Sequence, residues 1–305
     1  MSVATFEARV IAAFGRHLLV RDERGQEFKA RPFGRGLTIV CGDGVRCRHD
    51  EHHAEVHVLE VLPRRTALYR SNVRGGSEPV FANLTRLLVI IAPVPQPDLF
   101  IVDRYLAAAE SAGITASLVL NKADLGIDAA LQDQLQAYEA AGYAWIATST
   151  SAGEGMQALR HACAADVTAL VGQSGVGKSS LARHLLPDAD IAVGGLMRAA
   201  EGRHTTTASR LFDLPGGGQL MDSPGVRDFA PAIERLEPRH LGFVEVARLA
   251  GGCRFLDCRH LREPDCAVRA AVAAGTIHPR RYESYRRLRR LRETLLDAQG
   301  PKARR

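Results

Sequence analysis

Lysine and long apolar runs are both scarce in this chain of 305 residues. The longest apolar run, residues 87–93, is far shorter than the roughly 18 residues that a membrane-spanning helix needs. The first ten residues lack the apolar segment of a secretory signal, and six cysteines are too few for a disulfide scaffold in a chain of this length. We therefore expect a cytoplasmic protein that has no membrane partner and whose thiols bind metal or lie buried.

Arginine supplies almost all of the positive charge. Lys+Arg number 40 against 34 Asp+Glu, a formal net charge of +6, and only four of the basic residues are lysines. Residues 280–305 hold ten basic residues and three acidic ones, so this segment alone is more positive than the whole chain. Such a charge suits a polyanionic partner, RNA above all, although a genome that favours arginine would leave the same composition.

Short alternating segments fill residues 1–70, the first predicted domain. Apolar and polar residues alternate over five segments that break at Gly, Asp or Pro: 7–15, 17–25, 26–34, 45–50 and 54–63. Five short strands in so few residues fit a small closed β-barrel (OB-fold), with a small β-sandwich as the main alternative. The Gly/Ser/Pro-rich residues 71–80 are predicted to be a linker.

Continuous apolar runs characterise residues 71–230, the second predicted domain. Helix-period segments separate several of these runs, which lie at 87–93, 116–121, 144–149, 168–172 and 219–222. Apolar strands that alternate with helices indicate a mostly parallel sheet covered on both faces. The chain is therefore expected to be a multidomain α/β protein.

Residues 231–305, the third predicted domain, carry no strand signal. Helical patterns are interrupted by a Cys/His-rich loop at 253–266, and the last helix is predicted over about residues 280–298. Its apolar face comprises Tyr282, Tyr285, Leu288, Leu291, Leu295 and Leu296. Five arginines are expected largely off that face: Arg286, Arg287, Arg289, Arg290 and Arg292.

Residues 172–179 match the phosphate-loop pattern G-x-x-x-x-G-K-[ST] in full, between an apolar strand and a helix. The glycines of such a loop let backbone N–H groups surround phosphates at a helix N-terminus. Lys178 would act on the β- and γ-phosphates as a catalytic group, and the Ser179 hydroxyl would bind Mg²⁺. The predicted phosphate-binding residues are Gly172, Gln173, Ser174, Gly175, Val176, Gly177, Lys178 and Ser179.

A base-reading motif, Asn121-Lys122-Ala123-Asp124, follows the strand at 116–121. A carboxylate at Asp124 can accept from both N1–H and the N2 amine of guanine, whereas adenine offers no such donor pair. The Lys122 stem would stack on the base and Asn121 would brace neighbouring loops; a helix cap at Asp124 is the alternative. Ser149 is a candidate for a second base-contacting loop.

Two further segments suit Mg²⁺ and the γ-phosphate. In Asp222-Ser-Pro-Gly225, Asp222 would hold Mg²⁺ through water and the Gly225 amide would sense the γ-phosphate. The threonine run 205–207 would add a Mg²⁺ ligand, with a β-branched strand start as the alternative. Val226 cannot orient water as a glutamine would, so we expect slow intrinsic hydrolysis. His204 is the candidate for orienting or deprotonating that water, or else a structural histidine.

These are the elements of a P-loop GTPase in a circularly permuted order. The base-reading motif and Ser149 precede the phosphate loop and the D-x-x-G motif, whereas they usually follow them. The same sheet can form because strand adjacency, not chain order, builds the site. Since D-x-x-G now leads straight into the third domain, we expect a rearrangement at Gly225 to be transmitted to that domain.

Cys253, Cys258, His260 and Cys266 provide three thiolates and one imidazole within fourteen residues. A closed Cys₃His set is typical of a structural, tetrahedral zinc site with no open position for catalysis. A run of small buried cysteines is the alternative.

Together these motifs resemble the RsgA (YjeQ) family of bacterial small-ribosomal-subunit-dependent GTPases. The resemblance covers essentially the whole chain and rests on NKAD, GQSGVGKSS, GRHTTT, DSPGVR and CRFLDCRHLREPDC in this order. It implies an OB domain that binds RNA, a circularly permuted GTPase domain and a C-terminal zinc domain. It extends the phosphate-binding set to Ser180 and assigns switch roles to His204 and Thr206. The segment Leu84-Thr85-Arg86 departs from the more acidic stretch usual in the family.

We therefore predict a monomeric GTP hydrolase that binds the small ribosomal subunit and its rRNA during late maturation. GTP, Mg²⁺ and one structural Zn²⁺ per chain are the expected substrate and metals. Two alternatives remain: a non-catalytic RNA-binding protein that uses GTP only as a ligand, and a GTP-driven metallochaperone. The NKAD motif argues against an ATPase or kinase.

Overall fold

Five strands close into a barrel at the start of the computed structural model, which describes residues 5–15, 17–34, 36–50, 55–72, 76–187, 209–222 and 229–298. The strands are β1 (Thr5–Phe14), β2 (His17–Asp22), β3 (Glu27–Pro32), β4 (Gly44–His49) and β5 (Val56–Val61). They are ordered β1-β2-β3-β5-β4, and β4 pairs with β1 to close the ring. Alternate residues fill the barrel core, among them Val10, Val20, Val45 and Val58. The predicted barrel is confirmed, and the β-sandwich alternative is wrong.

A separate hairpin follows the barrel. Its strands, β6 (Ala67–Ser71) and β7 (Ser77–Ala82), pair antiparallel. Residues 71–80, which the sequence predicts to be a linker, therefore include the end of one strand and the start of the next. Leu68 and Phe81 are buried in the main core, so apolar side chains hold the hairpin in place.

Within the described residues the main sheet contains six strands: β8 (Arg86–Ile91), β9 (Thr115–Leu120), β10 (Trp145–Ala147), β11 (Val167–Gly172), β12 (Ser209–Asp213) and β13 (Gln219–Asp222). Their order is β10-β9-β8-β11-β13-β12, and every neighbouring pair is parallel except β12–β13. Strand β12 also pairs antiparallel with β1, so sheet and barrel form one eleven-stranded surface. The sequence patterns did not predict β12.

Helices cover both faces of this sheet, as predicted. They are α1 (Leu99–Ser111), α2 (Ala129–Ala141), α3 (Met156–Cys163) and α4 (Lys178–Leu185). Along β8, Leu87, Val89 and Ile91 join the core that contains α1 and α2. Leu88 and Ile90, which point the other way, join the core that contains α3 and α4. Burial on both faces explains why this strand is a continuous apolar run.

The C-terminal part is helical, as predicted, with α5 (Val244–Ala250), α6 (Ala267–Ala273) and α7 (Pro279–Ala298). Tyr285 and Leu288 of α7 are buried, whereas Leu291 is exposed. The expectation that Arg289 lies off the buried face is wrong, because its guanidinium donates to the carbonyl oxygens of Pro238 and Arg239. Among the described residues, none of the helices combines the length and apolar character needed to cross a bilayer.

A buried ionic cluster joins α7 to the helices of the main sheet. Arg281, 1% exposed, donates from Nε and its second terminal nitrogen to Glu245 of α5 (2.7 and 2.9 Å). Its other terminal nitrogen donates to Asp103 of α1 at 2.6 Å. Tyr138 of α2 and Arg280 also donate to Asp103. Burial alone would lower the pKa of Arg281, but the two carboxylates raise it well above its usual value.

Candidate functional site

The phosphate-loop segment forms a tight turn between β11 and α4. Gly172 and Gly177 have φ angles of 142° and 95°, in the region that favours glycine. A Cβ at Gly172 would lie 2.2 Å from the carbonyl oxygen of Ile90, and one at Gly177 would lie 2.2 Å from Asn121 Nδ2. Neither position can take a larger residue without displacing its neighbour. The turn leads into the N-terminus of α4, where a helix favours anions.

Lys178 is buried and points back into this loop. Its Nζ donates to the carbonyl oxygens of Gly172 and Gln173 at 2.6 and 2.7 Å. A buried ammonium needs polar partners, and these carbonyl groups keep the charge inside the loop. The Gln173 side chain lies elsewhere, since its Oε1 accepts from the backbone N–H of Asp98, the N-cap of α1, at 3.1 Å.

Asn121 joins the base-reading motif to the phosphate loop. Its Nδ2 donates to the carbonyl oxygen of Val176 at 2.9 Å, and its Oδ1 accepts from Thr148 Oγ1 at 3.1 Å. Asn121, Val176 and Thr148 are all buried, so these bonds are shielded from water. The geometry puts Asn121 in the bracing position that the sequence indicates. Thr148 is a partner that sequence reasoning missed.

Lys122 and Asp124 lie on the surface beside that brace. Lys122 adopts a left-handed conformation (φ 57°), and its Nζ donates to the carbonyl oxygen of Val94 at 2.9 Å. Serine hydroxyls of the loop after β10 face the Asp124 carboxylate. The hydroxyls of Ser149 and, to a lesser extent, Ser151 lower the pKa of Asp124. An ionised, acceptor-only carboxylate is the form that can read two donors of guanine.

Asp222 lies at the same edge of the sheet as the phosphate loop. It ends β13, which runs parallel to β11 with Met221 opposite Ala169. Asp222 is 8% exposed, and Ser179 lies in the first turn of α4. Carboxylate and hydroxyl oxygens are the ligands that Mg²⁺ prefers, so this donor set fits a magnesium ion. His204, Thr206, Gly225 and Val226 lie outside the described residues.

The four zinc-ligand candidates converge in the loop between α5 and α6. Their ligand atoms lie within 4.8 Å of one another, and no other group of this kind occurs among the residues described. Cys253 Sγ lies 3.9 Å from Cys266 Sγ, and His260 Nδ1 lies 3.4 and 3.5 Å from these two sulfurs. A tetrahedral zinc ion with Zn–S of about 2.3 Å and Zn–N of about 2.1 Å requires ligand separations of about 3.6–3.8 Å. The thiols and imidazole therefore fit zinc in both type and spacing.

Glu263 fixes the backbone of the same loop. Its carboxylate accepts from the N–H groups of Arg259, Leu261 and Arg262 at 2.9–3.0 Å. Burial alone would raise the pKa of Glu263, but these backbone donors lower it to about 2. Tyr282 of α7 adds a hydrogen bond of 2.7 Å to the carbonyl oxygen of His260. The loop is therefore held from both sides, which keeps its four ligand atoms together.

The other three cysteines, Cys41, Cys47 and Cys163, are buried and unpaired, as expected for thiols that lie in a core. Burial raises the pKa of Cys41 to about 12 and that of Cys47 to about 11. These thiols remain protonated at neutral pH and are poor nucleophiles.

Comparisons with known proteins agree with this geometry. The RsgA GTPase family model matches residues 61–231. The protein named "Small ribosomal subunit biogenesis GTPase RsgA" from Azotobacter vinelandii is 44% identical over 287 residues, which cover 92% of this chain and 83% of that protein. The protein of the same name from Pseudomonas aeruginosa is 44% identical over 288 residues, 92% of this chain and 84% of its own length.

Solved structures show the same fold over nearly the whole chain. YjeQ from Thermotoga maritima superposes with a TM-score of 0.71 at 25% identity, over 95% of this chain and 99% of that one. YloQ, described as a circularly permuted GTPase, superposes with a TM-score of 0.70 at 22% identity, over 95% of this chain and 96% of its own. The predicted fold class, with its barrel, permuted P-loop domain and helical C-terminal part, is confirmed. This chain belongs to the RsgA GTPase family.

Proposed function

We propose that this chain hydrolyses GTP while bound to the small ribosomal subunit during the late biogenesis of that subunit. The observation that carries the proposal is the buried Asn121–Val176 hydrogen bond, because it joins a guanine-reading motif to a phosphate loop. Relatives that are 44% identical are named small ribosomal subunit biogenesis GTPases, which supports the same process for this chain.

The base and the phosphates are bound by separate groups of residues in this proposal. Asn121, Lys122, Ala123, Asp124 and Ser149 form the guanine site, with Asp124 accepting from the base. The backbone from Gly172 to Ser180, including Gln173, Ser174, Gly175, Val176 and Gly177, surrounds the phosphates. The amide of Gly225 senses the γ-phosphate. Binding of GTP would give the Lys178 ammonium phosphate oxygens in place of the two loop carbonyl groups that it now contacts.

Ser179, Thr206 and Asp222 are the residues that would hold Mg²⁺. The ion supplies positive charge where negative charge develops between the β- and γ-phosphates. Lys178 stabilises the same charge from the protein side, and His204 orients or deprotonates the attacking water. Val226 offers no hydrogen bond to that water, so we propose that intrinsic hydrolysis is slow and that the ribosomal subunit stimulates it.

The outer domains bind the partner in this proposal. The domains are residues 1–70, 71–230 and 231–305. A structural zinc ion at Cys253, Cys258, His260 and Cys266 would stabilise the third domain, and arginines of the barrel and of α7 would contact rRNA phosphates. Such contacts weaken as salt rises, because binding releases counterions from the RNA. We propose a cytoplasmic monomer.

The test is GTP turnover by the purified protein alone, with small ribosomal subunits and with large subunits as the control. Stimulation by small subunits only is expected. Normal GTP binding without stimulation would contradict the proposal and favour the alternative, an RNA-binding protein that uses GTP as a ligand. A Lys178→Ala variant serves as the catalytic control, since it removes the charge at the phosphates.

A further inference from the structure

In the proposed function the Asp124 carboxylate reads guanine, but the short element that carries Asp124 does little to fix its orientation. Asp124 is exposed on a one-turn 3₁₀ helix, Ala123–Leu125, that contains no buried residue. To accept from N1–H and the N2 amine together, both carboxylate oxygens must lie in the plane of the base. An exposed carboxylate that rotates freely would lose that freedom on binding, which weakens affinity.

A network of serine hydroxyls reaches this carboxylate from the neighbouring loop. Ser151 Oγ donates to Asp124 Oδ2 at 3.1 Å, and the Ser149 and Ser151 hydroxyl oxygens lie 2.9 Å apart. The Ser149 hydroxyl also acts on the carboxylate directly, since it contributes most to lowering the pKa of Asp124, and either serine can donate in the contact between the two hydroxyls. Ser149 in turn accepts from the backbone N–H of Ala152 at 3.1 Å. Hydrogen bonds in such a network polarise and strengthen one another.

The loop that carries this network is itself fixed. The backbone N–H of Ser149, a fully buried residue, donates to the carbonyl oxygen of Glu154 at 3.0 Å. Gly155 packs so closely on β10 that a Cβ there would lie 2.0 Å from the carbonyl oxygen of Ala147. The backbone N–H of Thr148 donates to the carbonyl oxygen of Leu120 at 2.8 Å, which anchors the loop beside the base-reading motif.

We propose that Ser151 is a positioning residue for base recognition, which holds the Asp124 carboxylate in the orientation that reads both guanine donors. The inference rests on the proposed function, because it assigns a role toward the base that Asp124 is proposed to bind. Ser151 acts through Asp124 and needs no contact with the nucleotide. Loss of the Ser151 hydroxyl therefore affects the hydrogen bond from the N2 amine of guanine more than the hydrogen bond from N1–H.

The experiment compares GDP with IDP, whose base lacks the N2 amine, by titration calorimetry in the presence of Mg²⁺. For Ser151→Ala, the Kd of GDP should rise about three- to tenfold, the effect of one side chain that must be ordered on binding. The Kd of IDP should change less than about twofold, since this base makes only the N1–H contact. The preference for GDP over IDP should therefore shrink. Ser151→Thr, which keeps the hydroxyl, should restore it.

Two outcomes overturn the inference. Unchanged Kd values for both GDP and IDP in Ser151→Ala would mean that the carboxylate needs no orienting hydroxyl. An equal weakening of GDP and IDP would mean that Ser151 only stabilises the loop. Asp124→Asn, measured beside these variants, separates this inference from the proposed function. A shift of that variant toward XDP supports guanine reading by Asp124, and its absence would overturn guanine reading and the inference together.

Discussion

Removal of Arg281 should be among the most destabilising single changes in the described part of the chain. Arg281→Ala takes away three hydrogen bonds and a guanidinium that lies 4.7 Å from the centre of the Phe243 ring. Glu245, 8% exposed, would keep its buried charge and lose both arginine hydrogen bonds. Breaking a buried ion pair from one side costs about 3–5 kcal/mol. With a urea m-value of about 3 kcal/mol/M, the midpoint should fall by about 1 M or more.

The assay is equilibrium urea unfolding followed by circular dichroism, with hydrogen exchange to locate the change. Exchange should accelerate in α5 and α7 and in α1, since the cluster joins these helices. Arg46→Ala is the matched control, because Arg46 pairs with Glu7 and Glu60 on the exposed face of the barrel. Exposed ion pairs contribute about 0–1 kcal/mol, so the control should barely move the midpoint.

A double variant makes the reasoning refutable even if Arg281→Ala unfolds. In Arg281→Met/Glu245→Met, the buried charge of Glu245 disappears together with its partner, and Asp103 keeps Arg280 and Tyr138. An apolar replacement of a buried pair is often neutral, so this variant should be more stable than Arg281→Ala. A loss below about 1 kcal/mol for Arg281→Ala, or a double variant less stable than the single one, would refute the account.

Three further predictions concern the site. Gly172→Ala should abolish GDP binding in a fluorescence titration, because its Cβ would meet the Ile90 carbonyl oxygen. Gly113→Ala is the control: Gly113 also has a positive φ but has open space around it, so this variant should retain GDP binding. Glu263→Gln should lower the thermal midpoint at pH 7 but not at pH 2. The folded pKa of Glu263 is depressed to about 2, so the stability it contributes is present above its usual pKa of 4.5 and is lost as the pH falls toward 2. Strong chelation should remove one zinc per chain and reduce the helical circular dichroism signal, because the four ligands converge from one loop and hold that loop folded. Metal loss with unchanged helicity would contradict this prediction and favour an exchangeable site.

The elements with a strong period could be predicted from the sequence to within a few residues at each end. The five barrel strands, the parallel strands and helices α1 to α4 all lie where apolar periodicity places them. Strand β12 could not be predicted, since Ser209–Asp213 is short and polar, and it forms because β13 and β1 offer pairing edges on both sides. Hairpin β6–β7 could not be predicted for a similar reason. Its Gly/Ser/Pro content resembles that of a linker, whereas the hairpin is stabilised by the burial of Leu68 and Phe81 in the main core.

The residues of the candidate site differ in the same way, because some are predictable from local sequence and others only from tertiary contacts. Motif spacing identifies the backbone loop and the side chains whose chemistry is specific, such as Asn121, Lys178 and Cys253. It does not identify residues whose role depends on a neighbour in space. Ser151 matters because it meets Asp124, and Arg281 because it meets Asp103 and Glu245, in each case across more than twenty residues of sequence. Arginine on a helix is ordinarily assigned to solvent, and only tertiary contact shows that this one is buried.

The anchoring of the C-terminal part also constrains how a D-x-x-G rearrangement can reach it. Phe229 and Pro231 are among the first described residues after that motif, and α1 contacts both of them. Tyr105 donates from its hydroxyl to the carbonyl oxygen of Phe229 at 2.6 Å, and Arg104 Nε donates to that of Pro231 at 2.8 Å. The Arg281–Asp103 pair fastens α7 to the same helix. A movement that passes from Gly225 to the C-terminal helices must therefore break these bonds or carry α1 with it. Asp98, the N-cap of α1, donates from its backbone N–H to the side chain of Gln173 in the phosphate loop. If α1 moves as well, this one helix would link the phosphate loop to α7.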